Sequence, residues 1–174
     1  MRPLVKGLAA LGVALAVATT PTAAALAAPG GDSGWEPYRT PSFSIAAGVS
    51  CGFGLKGDVV YDHEYTRVVE RFPDGSPKVQ EFQGALGVAF TNVATGETVR
   101  RDASGTLRAT FHEGGGSDWQ FDGNGIAVIR TSNPNSVPGV YLLSGSVLYT
   151  VHPDGSREFT VQDGTIENMC QTLA

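Results

Sequence analysis

The sequence predicts an all-β fold, an antiparallel barrel of about 8–10 strands, with a two-sheet β-sandwich as the alternative. Three observations carry this expectation. Apolar residues recur with a period of two along most of the chain, and no helical period is sustained. Turn signals return every ten residues or so, as they do in a run of hairpins. The only two cysteines, Cys51 and Cys170, stand near opposite ends of the apolar pattern.

From the start of the chain, Arg2 and Lys6 form a basic region and Gly7–Ala18 an apolar run. A small-residue segment ending Ala25-Leu26-Ala27 follows, so residues 1–27 read as a secretory signal peptide cleaved before Ala28. The apolar run is shorter than the roughly 20 residues of a membrane span, which makes an anchor the weaker alternative. Residues 28–41 (APGGDSGWEPYRTP) are rich in Gly and Pro and read as a flexible lead-in onto which Trp35 and Tyr38 can dock. Residues 42–174 then form a single antiparallel β domain.

Phe43, Ile45 and Ala47 alternate with smaller residues and predict a short first strand. Cys51–Tyr61 (CGFGLKGDVVY) predicts one long strand with Cys51, Phe53, Leu55, Val59 and Tyr61 on its apolar face. Alternation fails where Val68 and Val69 adjoin, which predicts a bulge or a twist. Further period-two runs contain Leu86, Val88 and Phe90, then Leu107, Ala109 and Phe111, then Trp119 and Phe121. Val147, Tyr149 and Val151 form another, and Phe159 with Val161 a last one. The run Ile126–Ile129 is apolar on both faces and is expected to be covered on both. Phe72-Pro73-Asp74-Gly75-Ser76 returns in near-copy at His152-Pro153-Asp154-Gly155-Ser156, which predicts two similar hairpin turns.

In a secreted chain two cysteines pair most simply with each other. The bond requires the first long strand and the C-terminal segment to be neighbours. Neighbouring first and last strands are also the closure condition of an up-and-down barrel, which is why the barrel is preferred. The whole chain carries a net charge of −5. Without Arg2 and Lys6 of the signal segment, ten basic and seventeen acidic residues leave −7. Basic residues are scattered, so neither a nucleic-acid backbone nor an anionic membrane is an expected partner.

Ile45–Phe53 (IAAGVSCGF), Phe90–Glu97 (FTNVATGE) and the terminal Cys170-Gln171-Thr172-Leu173 resemble a group of secreted actinobacterial β-proteins. That group shares an N-terminal Cys-x-Phe strand, a Thr-Asn-x-x-Thr-Gly turn and a C-terminal Cys-x-x-Leu. The resemblance implies a fold and a source and brings no activity with it.

Residues with chemical capacity are few. Asp62-His63-Glu64 is the densest polar cluster, and a histidine beside carboxylates can serve as general base or metal ligand. If Tyr61 faces inward, His63 shares its face; the alternative is a solvated turn. Gly48-Val49-Ser50-Cys51-Gly52 matches GxSxG but lacks the strand–turn–helix that a nucleophile elbow needs. His112 and His152 fall on polar faces beside turns, and a three-histidine metal site would need all three to meet in space. Asp118, Asp122 and Asn124 do not follow the order of a calcium loop. Inward-facing Phe53, Trp119 and Tyr149 signify core or the wall of a ligand cavity. No cofactor is indicated.

Three functions fit these features. The first is a non-catalytic secreted barrel binding a small apolar ligand or a protein. The second is a small isomerase- or hydrolase-type enzyme using His63 with Asp62, Glu64 or other nearby carboxylates. The third is a structural or envelope-associated module. A hollow interior favours the first, and a buried, carboxylate-bonded His63 favours the second.

Overall fold

The computed structural model describes residues 34–174, so the expected signal peptide and its cleavage point lie outside the described residues. Nine strands form: β1 (Glu36–Tyr38), β2 (Phe43–Ile45), β3 (Leu55–Arg71), β4 (Pro77–Asn92), β5 (Thr98–Asp102), β6 (Gly105–Phe111), β7 (Ser117–Ile129), β8 (Gly139–Val151) and β9 (Arg157–Asn168). A single helical turn, α1 (Met169–Thr172), ends the described chain. All pairings are antiparallel, in the order β1-β3-β4-β6-β7-β8-β9, with β2 also on β3 and β5 also on β4. Because β3 occupies one edge of β4, β5 and β6 share the other, pairing with Gly87–Thr91 and Val79–Gly84 in turn. The two short strands thus act as one long strand broken at Ala103-Ser104, and the sheet is the expected up-and-down meander.

Three hairpins turn in the same way at residues 72–76, 112–116 and 152–156, starting forty residues apart. In each, the first N–H donates to the fifth carbonyl and the fourth N–H to the first carbonyl. Asp74 and Asp154 brace two of them by accepting from the backbone and hydroxyl of Ser76 and Ser156. The third turn, Glu113-Gly114-Gly115-Gly116, reaches the same geometry through glycine alone, so its glycines signal a turn but hide its likeness to the other two.

Near the middle of β4, β7, β8 and β9 and at the start of β6, glycines stand opposite one another in register: Gly84, Gly123, Gly145 and Gly164 with Gly105. Backbones approach so closely along this row that a Cβ has no room. At Gly145 it would fall closer than 3.0 Å to the Asp163 carbonyl oxygen, and at Gly164 equally close to that of Ser144. Both residues also adopt positive φ, at 93° and 141°, which only glycine enters at little cost. The sheet is creased here. Tyr141 and Phe159, from opposite sides of the row, meet with ring centroids 5.0 Å apart.

Two cores result. One joins Leu55 of β3 and Leu86, Val88 and Phe90 of β4 to Val140 and Leu142 of β8 and to Met169 and Leu173. The other gathers Phe121, Ala127, Ile129, Tyr141, Leu143, Val147 and Tyr149. Ile126 and Val128 pack on the first core while Ala127 and Ile129 lie in the second, so β7 is covered on both faces, as its unbroken apolar run predicts. Cys51 and Cys170 are bonded with Cα atoms 5.2 Å apart. Beside them the Asn92 side chain donates to the Leu173 carbonyl at 2.8 Å, tying the end of β4 to the C-terminal segment.

Three expectations change. The long strand does not start at Cys51: Cys51–Phe53 lie in a turn in which the Gly48 N–H donates to the Cys51 carbonyl, and β3 runs from Leu55 for seventeen residues. Glycines at 48, 52 and 54 favour that turn over a strand. The lead-in is not wholly free, since Glu36–Tyr38 pairs with Glu64–Thr66. Its aromatics dock as expected, with Arg67 4.6 Å over the Trp35 ring and Tyr38 edge-on to Phe82. The sheet does not close into a barrel, because no described strand pairs with the outer edge of β9. The disulfide joins a turn to a helical turn, so it ties the sheet's ends without aligning two strand edges.

Gly145→Ala is expected to cost about 2–4 kcal/mol, the range of backbone strain plus a displaced neighbour. Gly52→Ala, where nothing lies within 4 Å, should stay within about 0.5 kcal/mol. Urea midpoints of the two variants check the difference. The disulfide closes a separation of 119 residues, so Cys51→Ala and Cys170→Ala should each cost about 2–4 kcal/mol. The double variant should cost little more than either, by the same measurement.

Candidate functional site

A cavity of about 320 Å³ opens between the two cores, where β1–β4 face β6 and β7. Its walls are Phe43, Phe82, Leu86, Leu107, Trp119, Phe121 and Ile126, with Tyr38 at one side. Each wall residue follows from strand parity and the crease. Phe82 and Leu86 flank Gly84 on one face of β4, and Phe121 lays its ring over Gly125, where a side chain would exclude it. Trp119 is fixed by its indole N–H, which donates to the Ser117 hydroxyl at 2.8 Å. Polar groups at the cavity are Thr40, Glu64, Gln83, Thr106 and Asn124.

A bulge decides which polar side chains reach it. The β3–β4 register shifts between Val59 and Tyr61, leaving Val60 unpaired. One extra residue inverts the alternation beyond it. Leu55 and Val59 therefore pack on the first core, whereas Tyr61, His63 and Tyr65 are exposed. Asp62 and Glu64 turn toward the lead-in. Asp62 accepts from the Thr40 N–H at 2.8 Å and the Glu64 N–H at 3.1 Å, and Glu64 Oε2 accepts from the Thr40 hydroxyl at 2.6 Å. Burial raises the Glu64 carboxyl above its ordinary value; the Thr40 hydroxyl opposes this, the Asp62 charge adds to it, and Arg39 lowers it slightly. The second shift, around Val69, is the bulge that the adjoining valines predict.

The Asp62-His63-Glu64 cluster is therefore divided. Glu64 lines the cavity, Asp62 braces the lead-in, and the His63 ring points to the opposite side of the sheet without a hydrogen-bond partner among the described residues. His112 and His152 bond at the surface to Asp118 and Glu158, at 2.9 and 3.1 Å. Among the described residues no group of three or more His, Cys, Asp or Glu is placed to hold a metal ion. Asp118 and Asn124 serve separate partners: Asp118 accepts from Thr150, and Asn124 accepts from Ser144. Ser50 of the GxSxG match is buried, its Oγ without a hydrogen-bond partner. Of the three aromatics expected to face inward, Trp119 lines the cavity, Tyr149 lies in the second core and Phe53 packs on the first. Sequence reading missed Glu64's separation from His63, and the Val59-Val60 pair in an otherwise alternating strand was the signal that marked it.

No family model, curated protein or solved structure matches this chain. Among the described residues no helix is long and apolar enough to cross a membrane.

Away from the cavity Glu167, Glu81 and Asp102 shift oppositely to Glu64. Glu167 is held low by a two-point bond from Arg101, at 2.8 and 2.7 Å. Burial pushes Glu81 up, but Arg67 and Arg108 outweigh it, and the Ser104 hydroxyl and N–H lower Asp102. Groups with depressed native pKa values stabilise the fold above their unfolded values of about 4 and lose that contribution as pH falls. Glu64 has the reverse sign, its contribution declining as pH rises through its native pKa. These three acids, with Asp74 and Asp154 lowered likewise by Ser76 and Ser156, outnumber it, so the melting temperature should fall between about pH 5 and 3. Arg101→Met should flatten part of that fall, as read from melting curves across the range.

Proposed function

We propose that this chain is a secreted, non-catalytic binding protein whose cavity holds a small apolar ligand. The observation that carries the reading is the aromatic-walled space of about 320 Å³ between the cores, at the lower end of the 300–1,000 Å³ typical of small-molecule sites. Apolar walls supply most of the affinity in such a site, and a few convergent polar groups fix orientation. The disulfide agrees with an oxidising compartment, and the signal-like first 27 residues and the likeness to secreted actinobacterial proteins support export. The enzyme reading loses its base, since the exposed His63 ring faces away from both neighbouring carboxylates.

A neutral fluorescent probe, N-phenyl-1-naphthylamine, tests the reading. The chain has two tryptophans, Trp35 and Trp119, so a Trp35→Phe background leaves only the cavity residue as energy donor. Saturable energy transfer from Trp119 to the probe is expected, and His63→Ala should leave it unchanged. Leu107→Phe, which fills part of the space without adding a second indole, should weaken binding by about tenfold or more while circular dichroism stays native. Binding undiminished by the filled cavity would place the probe elsewhere and end the proposal.

A further inference from the structure

We propose that the ligand of this cavity carries a cationic amine head that seats on Glu64, with its apolar body between the aromatic walls; this rests on the binding reading above. Among the described lining residues Glu64 is the charged one, and none is a Lys, Arg or His. An anionic head would meet no counter-charge there, and it would meet a carboxylate.

Glu64 is also left with capacity to bind. Its Oε2 takes the Thr40 hydroxyl, while no described residue donates a hydrogen bond to Oε1. Arg39, whose charge acts on Glu64, lies on Asp62 at 3.5 Å with its head mostly in solvent. Two carboxylates, Asp62 and Glu64, thus share one loosely held guanidinium, and Asp62 is already satisfied by two backbone N–H groups. A primary ammonium supplies three donors and a positive charge to the unoccupied oxygen.

The walls favour the same head. Tyr38, Phe43, Phe82, Trp119 and Phe121 surround the cavity, and aromatic faces attract cations through their quadrupoles. A half-buried carboxylate within an aromatic cavity suits a desolvated organic cation better than an alcohol, which offers no charge to offset the burial of Glu64.

Three probes with one tail separate the possibilities: octylammonium, octanol and octanoate, titrated calorimetrically into the protein at pH 7.5. Octylammonium should bind about tenfold or more tighter than octanol, and octanoate weakest. In Glu64→Gln, checked for an unchanged melting curve, the ammonium should lose its advantage to within about threefold of octanol, whose own affinity stays the same. Equal affinities for ammonium and alcohol, or an ammonium preference that survives Glu64→Gln, would overturn the cationic head while leaving the apolar cavity standing. Should Glu64→Gln not fold, the order of the three probes on the unmodified protein still decides. Failure of all three probes together with the naphthylamine would remove the cavity reading itself, and this inference with it.

Discussion

Close approach of backbones along the glycine row is the constraint on which the rest of this structure depends. Five strands meet one line at which backbone atoms of a neighbouring strand stand within 3.0 Å of where a Cβ would lie. A side chain there would force the strands apart, and the sheet would stay a gently twisted ribbon. With glycine, each long strand bends and brings its own two ends toward each other. Tyr141 can then reach Phe159 and Phe121 can cover Gly125, and the second core forms inside the crease. Strand lengths of 16, 13, 13 and 12 residues in β4, β7, β8 and β9, long for a globular sheet, are accommodated because each of these strands works as two arms.

The crease also separates the sheet. On the hairpin side of the row β6 pairs with both β4 and β7, whereas beyond it β5 remains on β4 and β7 remains with β8. The parted halves share the first core, and the cavity lies where the two cores fail to meet. Covalent and polar ties hold the parted end: the Cys51–Cys170 bond, the Asn92 side chain on the Leu173 carbonyl, and the Arg101–Glu167 pair. They do for an open sheet what edge pairing does for a barrel.

The proposed binding function turns on a smaller irregularity. A single unpaired residue, Val60, exchanges the faces of β3, so that a carboxylate enters the cavity and a histidine leaves it. Without the bulge, His63 would share the inward face of Leu55 and Val59, and an acid–base site would be the natural reading. With it, the cavity has one charged group and aromatic walls, an arrangement suited to recognition and poor in proton-transfer partners.

Period-two alternation, turn residues and paired cysteines are local or compositional signals, and from them the sequence by itself determined an antiparallel meander, its hairpins, its disulfide and the two-sided burial of Ile126–Ile129. The bulge at Val68-Val69 was legible for the same reason, since broken alternation is written in adjacent residues. Other features needed register. Gly84, Gly105, Gly123, Gly145 and Gly164 look like ordinary turn or strand glycines until pairing places them in one line. The turn at His112–Gly116 shares no residue type with that at Phe72–Ser76 beyond glycine, although their backbones agree. Barrel closure was inferred from proximity of the cysteines, but proximity can be met by loops lying over a core as well as by paired edges. Only the tertiary structure decided which face Glu64 and His63 occupy, because a one-residue slip costs the local chain little and reverses every side chain beyond it.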